Sequence, residues 1–174
     1  MAIRPIIVAP DPRLKVRCER IERVDGDVRA LMQDLLDTMY SAPGIGLAAP
    51  QIGVARRVIV VDVAPKDGPR APLRMANPEI LWASDETASY EEGCLSFPEQ
   101  YSEVRRPARA HVRYLDEHDE VREIEIEGLL ATCVQHEMDH LDGVLFVDHI
   151  STLRRSMILR KLSKAKRAEA RASV

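Results

Sequence analysis

The chain has 174 residues, 45% of them hydrophobic and 30% charged, with a formal net charge of −3. That length fits one domain, or one domain with an appendage, and its composition suits a buried core under a solvated surface. No stretch is long and apolar enough to span a bilayer, and "MAIRPIIVAPDPRL" lacks a signal peptide's layout; three cysteines (Cys18, Cys94, Cys133) without a CxxC pair argue against a disulfide framework. A cytoplasmic protein is expected, with no membrane partner.

In chain order, the first strong signal is residues 27 to 40. Val28, Leu31, Met32, Leu35, Leu36 and Met39 recur there at helical spacing, the apolar stripe of an amphipathic helix. "APGIGLAAPQIG" follows. Gly44-x-Gly46-x-x-Ala49 matches a loose dinucleotide fingerprint, but a helix precedes it and Pro50 interrupts what comes after, so a nucleotide cofactor is rejected. These glycines instead suit close approach of backbone to a ligand, with extended residues pairing to a peptide, and Gln51 is either a neutral donor beside a site or a surface amide.

"RRVIVVDV" (56 to 63) reads as a buried strand. In "YEEGCLSFPEQY", Gly93 and Pro98 bracket Cys94 as at a strand end or tight turn. Residues 108 to 128 read as two strands joined near Glu117–Asp119, and residues 129 to 141 as a second helix closed by Gly143. A third helix starts after Ser151, an N-cap, and runs through a tail where residues 150 to 174 carry eight Lys/Arg against one acid, net +7; the remainder carries −10. Strands and helices are segregated rather than alternating. The expectation is therefore an α+β fold, with antiparallel or mixed sheets packed around a central HExxH helix and a basic C-terminal helix.

That second helix contains "HEMDH". On a helix, His136 and His140 sit about 40° apart and can reach one ion, while Glu137, about 60° from His140, is placed to handle a metal-held water. The longer zinc-protease pattern holds through Gly143 and then fails, because its third-ligand position is Phe146. His149 is expected off the helix as a surface or cap residue, and Asp139 as a solvated residue with no chemical role. A cysteine is the better third ligand. Cys94 would complete a Cys-His-His site with one open position, and Cys133, one turn before His136, is the rival that would more naturally line a pocket wall.

"GIGLAAPQ" (44 to 51), "EGCLS" (92 to 96) and "HEMDH" (136 to 140), with the weaker "PDPRL" and "NPEI", stand together in the order seen in the peptide deformylases. The chain resembles that family, bacterial and iron-dependent in type, over roughly residues 5 to 150. The resemblance implies a catalytic domain over 1–150 with residues 151–174 as a helix packed on or extending from it. It implies Cys94, His136 and His140 as ligands of one Fe²⁺, for which Zn²⁺, Ni²⁺ or Co²⁺ can substitute, and a thiolate on ferrous iron implies oxygen sensitivity.

The implied reaction removes the formyl group from N-formylmethionyl nascent peptides and releases formate. A metal-bound water attacks, Glu137 is general base then acid, and the Gln51 amide and the Leu95 N–H stabilise the oxyanion. Leu129, Thr132 and Cys133 share the His136 face and, with Ile45 and Tyr90, would wall the methionine pocket; in the family that wall is commonly aliphatic, and Thr132 departs from it. Gly46 would offer backbone hydrogen bonds to the extended peptide. Glu92 and Arg106 are either a brace for the Cys94 turn or a surface pair. The basic helix is similar to the one by which bacterial deformylases dock on the ribosome, and its charge suits phosphate-rich RNA. The rival readings are a metallopeptidase, a structural zinc site in an RNA-binding protein, and a relative acting on another short N-acyl group.

Overall fold

The computed structural model describes residues 2 to 173. Three helices, α1 (Gly26–Ser41), α2 (Gly128–Leu141) and α3 (Thr152–Ala172), and seven strands make up the fold. The strands are β1 (Gly46–Ala48), β2 (Val58–Val61), β3 (Leu73–Ala83), β4 (Thr87–Cys94), β5 (Phe97–Pro107), β6 (Arg109–Leu115) and β7 (Val121–Glu127). Every strand pairing is antiparallel. One sheet runs β1-β2-β3-β6-β7, and β4-β5 form a separate two-stranded sheet.

The expected first helix forms, capped by the Asp25 carboxylate, which accepts from the Val28 N–H at 3.0 Å, and its whole apolar stripe is buried. Alternation along β2 explains the run "VIVV". Val58 and Val60 face α1, while Ile59 and Val61 face the core under α2, so the strand is apolar on both sides. The hairpin expected over 108 to 128 is β6–β7, its turn organised by the Asp116 carboxylate, which accepts from the N–H groups of His118 (2.8 Å) and Glu120 (3.0 Å).

α2 lies against the sheet through Ala131, Val134 and Leu141. It ends where Gly143 takes φ +72°, and a Cβ there would stand 2.6 Å from the Lys15 carbonyl oxygen, so glycine serves both the turn and the close approach. A third apolar cluster joins the β4–β5 hairpin to the tail: Phe97, Val104 and Phe146 pack with Ile158 and Leu162 of α3. The Ser151 hydroxyl caps α3 by accepting from the Arg154 N–H. The strand end expected at Cys94 is the end of β4, while the bodies of β3, β4 and β5 are not marked by any apolar pattern in the sequence. In β4 the one buried residue is Glu92, and in β5 the buried positions include Ser102 and Arg106 beside Phe97 and Val104, so polar residues occupy places where apolar alternation would mark a strand.

Candidate active site

Three elements meet at one point. Helix α2 presents His136, Glu137 and His140; β4 ends at Cys94, where a register shift after Gly93 turns the chain; and the 3-10 turn Ala49–Ile52, just past β1, carries Gln51. Cys94 Sγ and one nitrogen from each of His136 and His140 lie within 4.8 Å of one another, and Cys94 Sγ is 3.4 Å from His140 Nε2. Cys133, the rival ligand, instead donates its thiol to the Ile45 carbonyl at 3.5 Å and lines the cleft. Burial and the neighbouring Glu137 push its pKa well up, which keeps it a neutral thiol.

The histidines are supported unequally. His136 Nδ1 lies 2.8 Å from Glu92 Oε1, which leaves Nε2 as the nitrogen that could hold an ion. His140 Nδ1 is buried without a partner among the described residues. In the metal-free protein, burial disfavours an imidazolium at His136, but Cys94 and Glu92 outweigh it and its pKa rises well above the usual value; burial and then His136 push His140 well below.

Glu92 is no surface residue. Arg106 Nε and Nη2 grip both its oxygens at 2.7 and 2.9 Å, and the pair is about 95% buried. Burial alone would raise the Glu92 pKa; His136 and Arg106 outweigh it and hold the carboxyl at about 2. The pair is the brace of the Cys94 turn. Asp139, expected as a solvated residue with no chemical role, is partly exposed but has structural partners: its Oδ2 accepts from Arg106 Nη1 at 2.8 Å and lies 2.8 Å from His149 Nε2. His149 sits off the helix at the surface, as expected, in the 3-10 turn Phe146–His149, and is tied there to Asp139. Phe146 is buried, edge-on to Phe97 at 5.0 Å and stacked on His136 at 6.1 Å between ring centres.

Glu137 stands out electrostatically. Its Oε2 is buried with no partner among the described residues, and burial pushes its pKa up to about 7. A carboxyl so placed exchanges protons near neutral pH, and a cation beside it would draw it down. Gly46 makes room for it: a Cβ there would lie 2.6 Å from Glu137 Oε1 and 2.9 Å from Cys133 Sγ.

Gln51 is buried rather than a surface amide. Its Oε1 accepts from the Ala48 N–H at 2.9 Å, and its Nε2 donates to Ser96 Oγ at 3.0 Å with Cys94 Sγ 3.5 Å away. Ser96, which holds that amide, was not singled out in the sequence, although it ends the motif "EGCLS". The cleft beside these groups encloses about 310 Å³ and is lined by Ile45, Gly46, Tyr90, Leu95, Leu129, Thr132 and Cys133 among others. Ile45 and Leu129 remain 42% and 45% exposed at its rim, an apolar surface with nothing yet to cover it.

Two imidazoles and a cysteine sulfur converging at one point suit a single divalent cation with a position left open, and Glu137 Oε2, without a partner among the described residues, suits proton transfer alongside. The arrangement is a candidate single-metal site beside a carboxylate suited to proton transfer, the layout of a hydrolase. A family model described as polypeptide deformylase matches residues 3–156, and the chain belongs to that family of enzymes. It is 60% identical over 173 residues to a peptide deformylase of Methylocella silvestris, covering 98% of this chain and 88% of the relative, and 58% identical over 168 residues to one of Phenylobacterium zucineum, covering 97% and 99%. A crystal structure of the Ehrlichia chaffeensis peptide deformylase in complex with actinonin superposes with a TM-score of 0.91 at 37% identity, covering 96% of this chain and 99% of that one.

Proposed function

We propose that this chain removes the formyl group from the N-terminal methionine of newly made polypeptides, with Cys94, His136 and His140 holding one Fe²⁺. Zn²⁺, Ni²⁺ and Co²⁺ fit the same donors. The ion, when bound, supplies a Lewis acid that lowers the pKa of a coordinated water towards neutrality. The observation that carries the reading is the buried, unpartnered Glu137 Oε2 beside the converged thiol and imidazoles.

Glu137 takes the proton of the attacking water and later returns it to the departing amine, so formate and a free methionine amine are the products. As the formyl carbon becomes tetrahedral, its oxygen gains charge. The Gln51 amide, whose Nε2 donates to Ser96 Oγ and to Cys94 Sγ and would turn its second N–H from that sulfur to the substrate, and the N–H of Leu95 would stabilise that oxygen, each worth roughly 2.7–4 kcal/mol if well aimed. Gln51 cannot swing away, because both ends of its amide are already bonded.

Peptide binding follows from sheet order. Among the described residues β1 is an edge strand, paired with β2 alone. Because the Asp62 N–H donates to the Ile45 carbonyl, alternation turns the N–H and C=O of Gly46 away from β2, towards an incoming extended chain. The methionine side chain then enters the cleft between Ile45, Tyr90, Leu129, Thr132 and Cys133. No helix among the described residues is long and apolar enough to cross a membrane. A cytoplasmic site of action, and docking of the basic α3 on the ribosome where such substrates emerge, belong to the same proposal.

The test is formate release from formyl-Met-Ala-Ser by anaerobically prepared Fe²⁺ protein, with acetyl-Met-Ala-Ser as control. The wild type should release formate and leave the acetyl peptide untouched. Glu137→Gln should keep its metal and lose roughly 10²–10⁴-fold in kcat. A Glu137→Gln enzyme at full rate would remove Glu137 from the chemistry, and a metal-loaded wild type that releases no formate would overturn the substrate.

A further inference from the structure

The 3-10 turn Phe146–His149 reaches the ligand His136 by two separate routes. Directly, the Phe146 ring stacks on the His136 imidazole, 6.1 Å between centres and 25° between planes. Indirectly, His149 Nε2 lies 2.8 Å from Asp139 Oδ2, the same oxygen accepts from Arg106 Nη1 at 2.8 Å, Arg106 grips Glu92, and Glu92 Oε1 lies 2.8 Å from His136 Nδ1. The chain alternates donor and acceptor at every link.

Each link has a geometric task. Arg106 uses Nε and Nη2 on Glu92, which fixes the plane of that pair but leaves it free to tilt as a unit. The third contact, Nη1 to Asp139, removes the tilt. Asp139 itself stands at the solvent edge, its side chain 27% exposed, and His149 fixes its second direction. An ordinary exposed pair contributes little. This one differs because its acceptor oxygen is shared with a guanidinium that is only 5% exposed.

We propose that His149 is a positioning residue for the metal centre: through Asp139, Arg106 and Glu92 it fixes the orientation of His136 and so slows loss of the ion. The proposal rests on Cys94, His136 and His140 being the ligands. Outer partners of ligating histidines set metal affinity, because they determine how well the ring is aimed before the ion arrives.

Co²⁺ is the probe, since a thiolate–Co²⁺ centre absorbs in the near-ultraviolet and visible range. Release of Co²⁺ from the full-length protein to excess EDTA is timed for wild type, His149→Leu, His149→Gln, Asp139→Asn and Lys15→Met. Lys15 pairs with Asp148 in the same turn at 3.5 Å without touching Asp139, so its variant removes a neighbouring ion pair of that turn and leaves the relay intact. His149→Leu and Asp139→Asn should release Co²⁺ about tenfold faster with altered absorption bands, His149→Gln should lie within about threefold of wild type, and Lys15→Met should match it. Wild-type release from His149→Leu, or equal acceleration by Lys15→Met, would overturn the proposal. A wild type that takes up Co²⁺ without a thiolate band would overturn the ligand set itself, and the two failures are told apart by that spectrum.

Discussion

Gly46 and Glu137 are placed almost in contact across β1 and α2, and that proximity makes the glycine a sensitive position. Gly46→Ala would set a methyl group 2.6 Å from Glu137 Oε1, so the carboxylate must move. A displacement of about 1 Å at a proton carrier can cost on the order of 10²-fold, and kcat on formyl-Met-Ala-Ser should fall by that order while the circular dichroism spectrum stays that of wild type. Full activity in Gly46→Ala would mean the approach is not needed for turnover. Thr132 bears on binding instead. It brings a hydroxyl to a cleft proposed to receive a thioether, and Thr132→Val keeps the shape without the polar atom. Relieving about 1 kcal/mol of hydroxyl desolvation should lower KM roughly fivefold with kcat little changed. An unchanged or higher KM would show that the hydroxyl stays hydrated when substrate is bound.

At the scale of elements, the β4–β5 hairpin meets α2 through two charged links, Glu92 to His136 and Arg106 to Asp139. The Glu92–Arg106 pair joins β4 to β5 on the side that faces α2, and its energetics give a pH signature. Glu92 has a folded pKa of about 2 against an ordinary value of 4.5. A depressed carboxyl contributes its full stability above the ordinary pKa and loses it as pH falls through the folded one, so the window runs from about 4.5 to about 2. Acid unfolding of the metal-free protein, followed by circular dichroism, should therefore be steeper in that window for wild type than for Glu92→Gln. Parallel curves would show that the carboxylate is not tied to the folded state. The same hairpin shows how legibility fails. α1 could be read because six apolar residues repeat along one face, and β2 because both its faces are covered. β4 buries a glutamate and β5 an arginine, and no periodicity of apolar residues can announce a strand whose inner face is an ion pair.

The whole molecule is electrically divided, with net +7 in residues 150 to 174 against −10 in the rest. Within α3, Arg154, Arg155 and Lys166 turn back to the fold, on the Tyr101 carbonyl, the Asp148 carboxylate and the Val8 and Pro10 carbonyls. Arg160, Lys161, Lys164 and Arg171 stay exposed, while Ile158 and Leu162 anchor the helix. If that outer face docks on ribosomal RNA, a Lys161→Glu, Lys164→Glu, Arg171→Glu triple variant should lose salt-dependent co-sedimentation with ribosomes, because each lost phosphate contact flattens the salt dependence by about one unit of slope. Formate release from a tripeptide should not change, since none of the three lines the cleft. Co-sedimentation that survives the reversal would remove the tail from the interaction.

By itself the sequence determined what depends on near neighbours. The α1 stripe, the β2 run, the spacing that stacks His136 on His140, and the glycine and proline around Cys94 are consequences of turns and pleats a few residues long. Three motifs in order were enough to indicate the family. Only the tertiary structure decided what joins residues far apart in the chain: that Cys94 rather than Cys133 meets the histidines, that Ser96 holds Gln51, and that Asp139 and His149 belong to the brace on His136. Those contacts depend on how a polar hairpin and a short turn close over α2. Burial of charge there is set by packing across the whole molecule, and local pattern carries no trace of it.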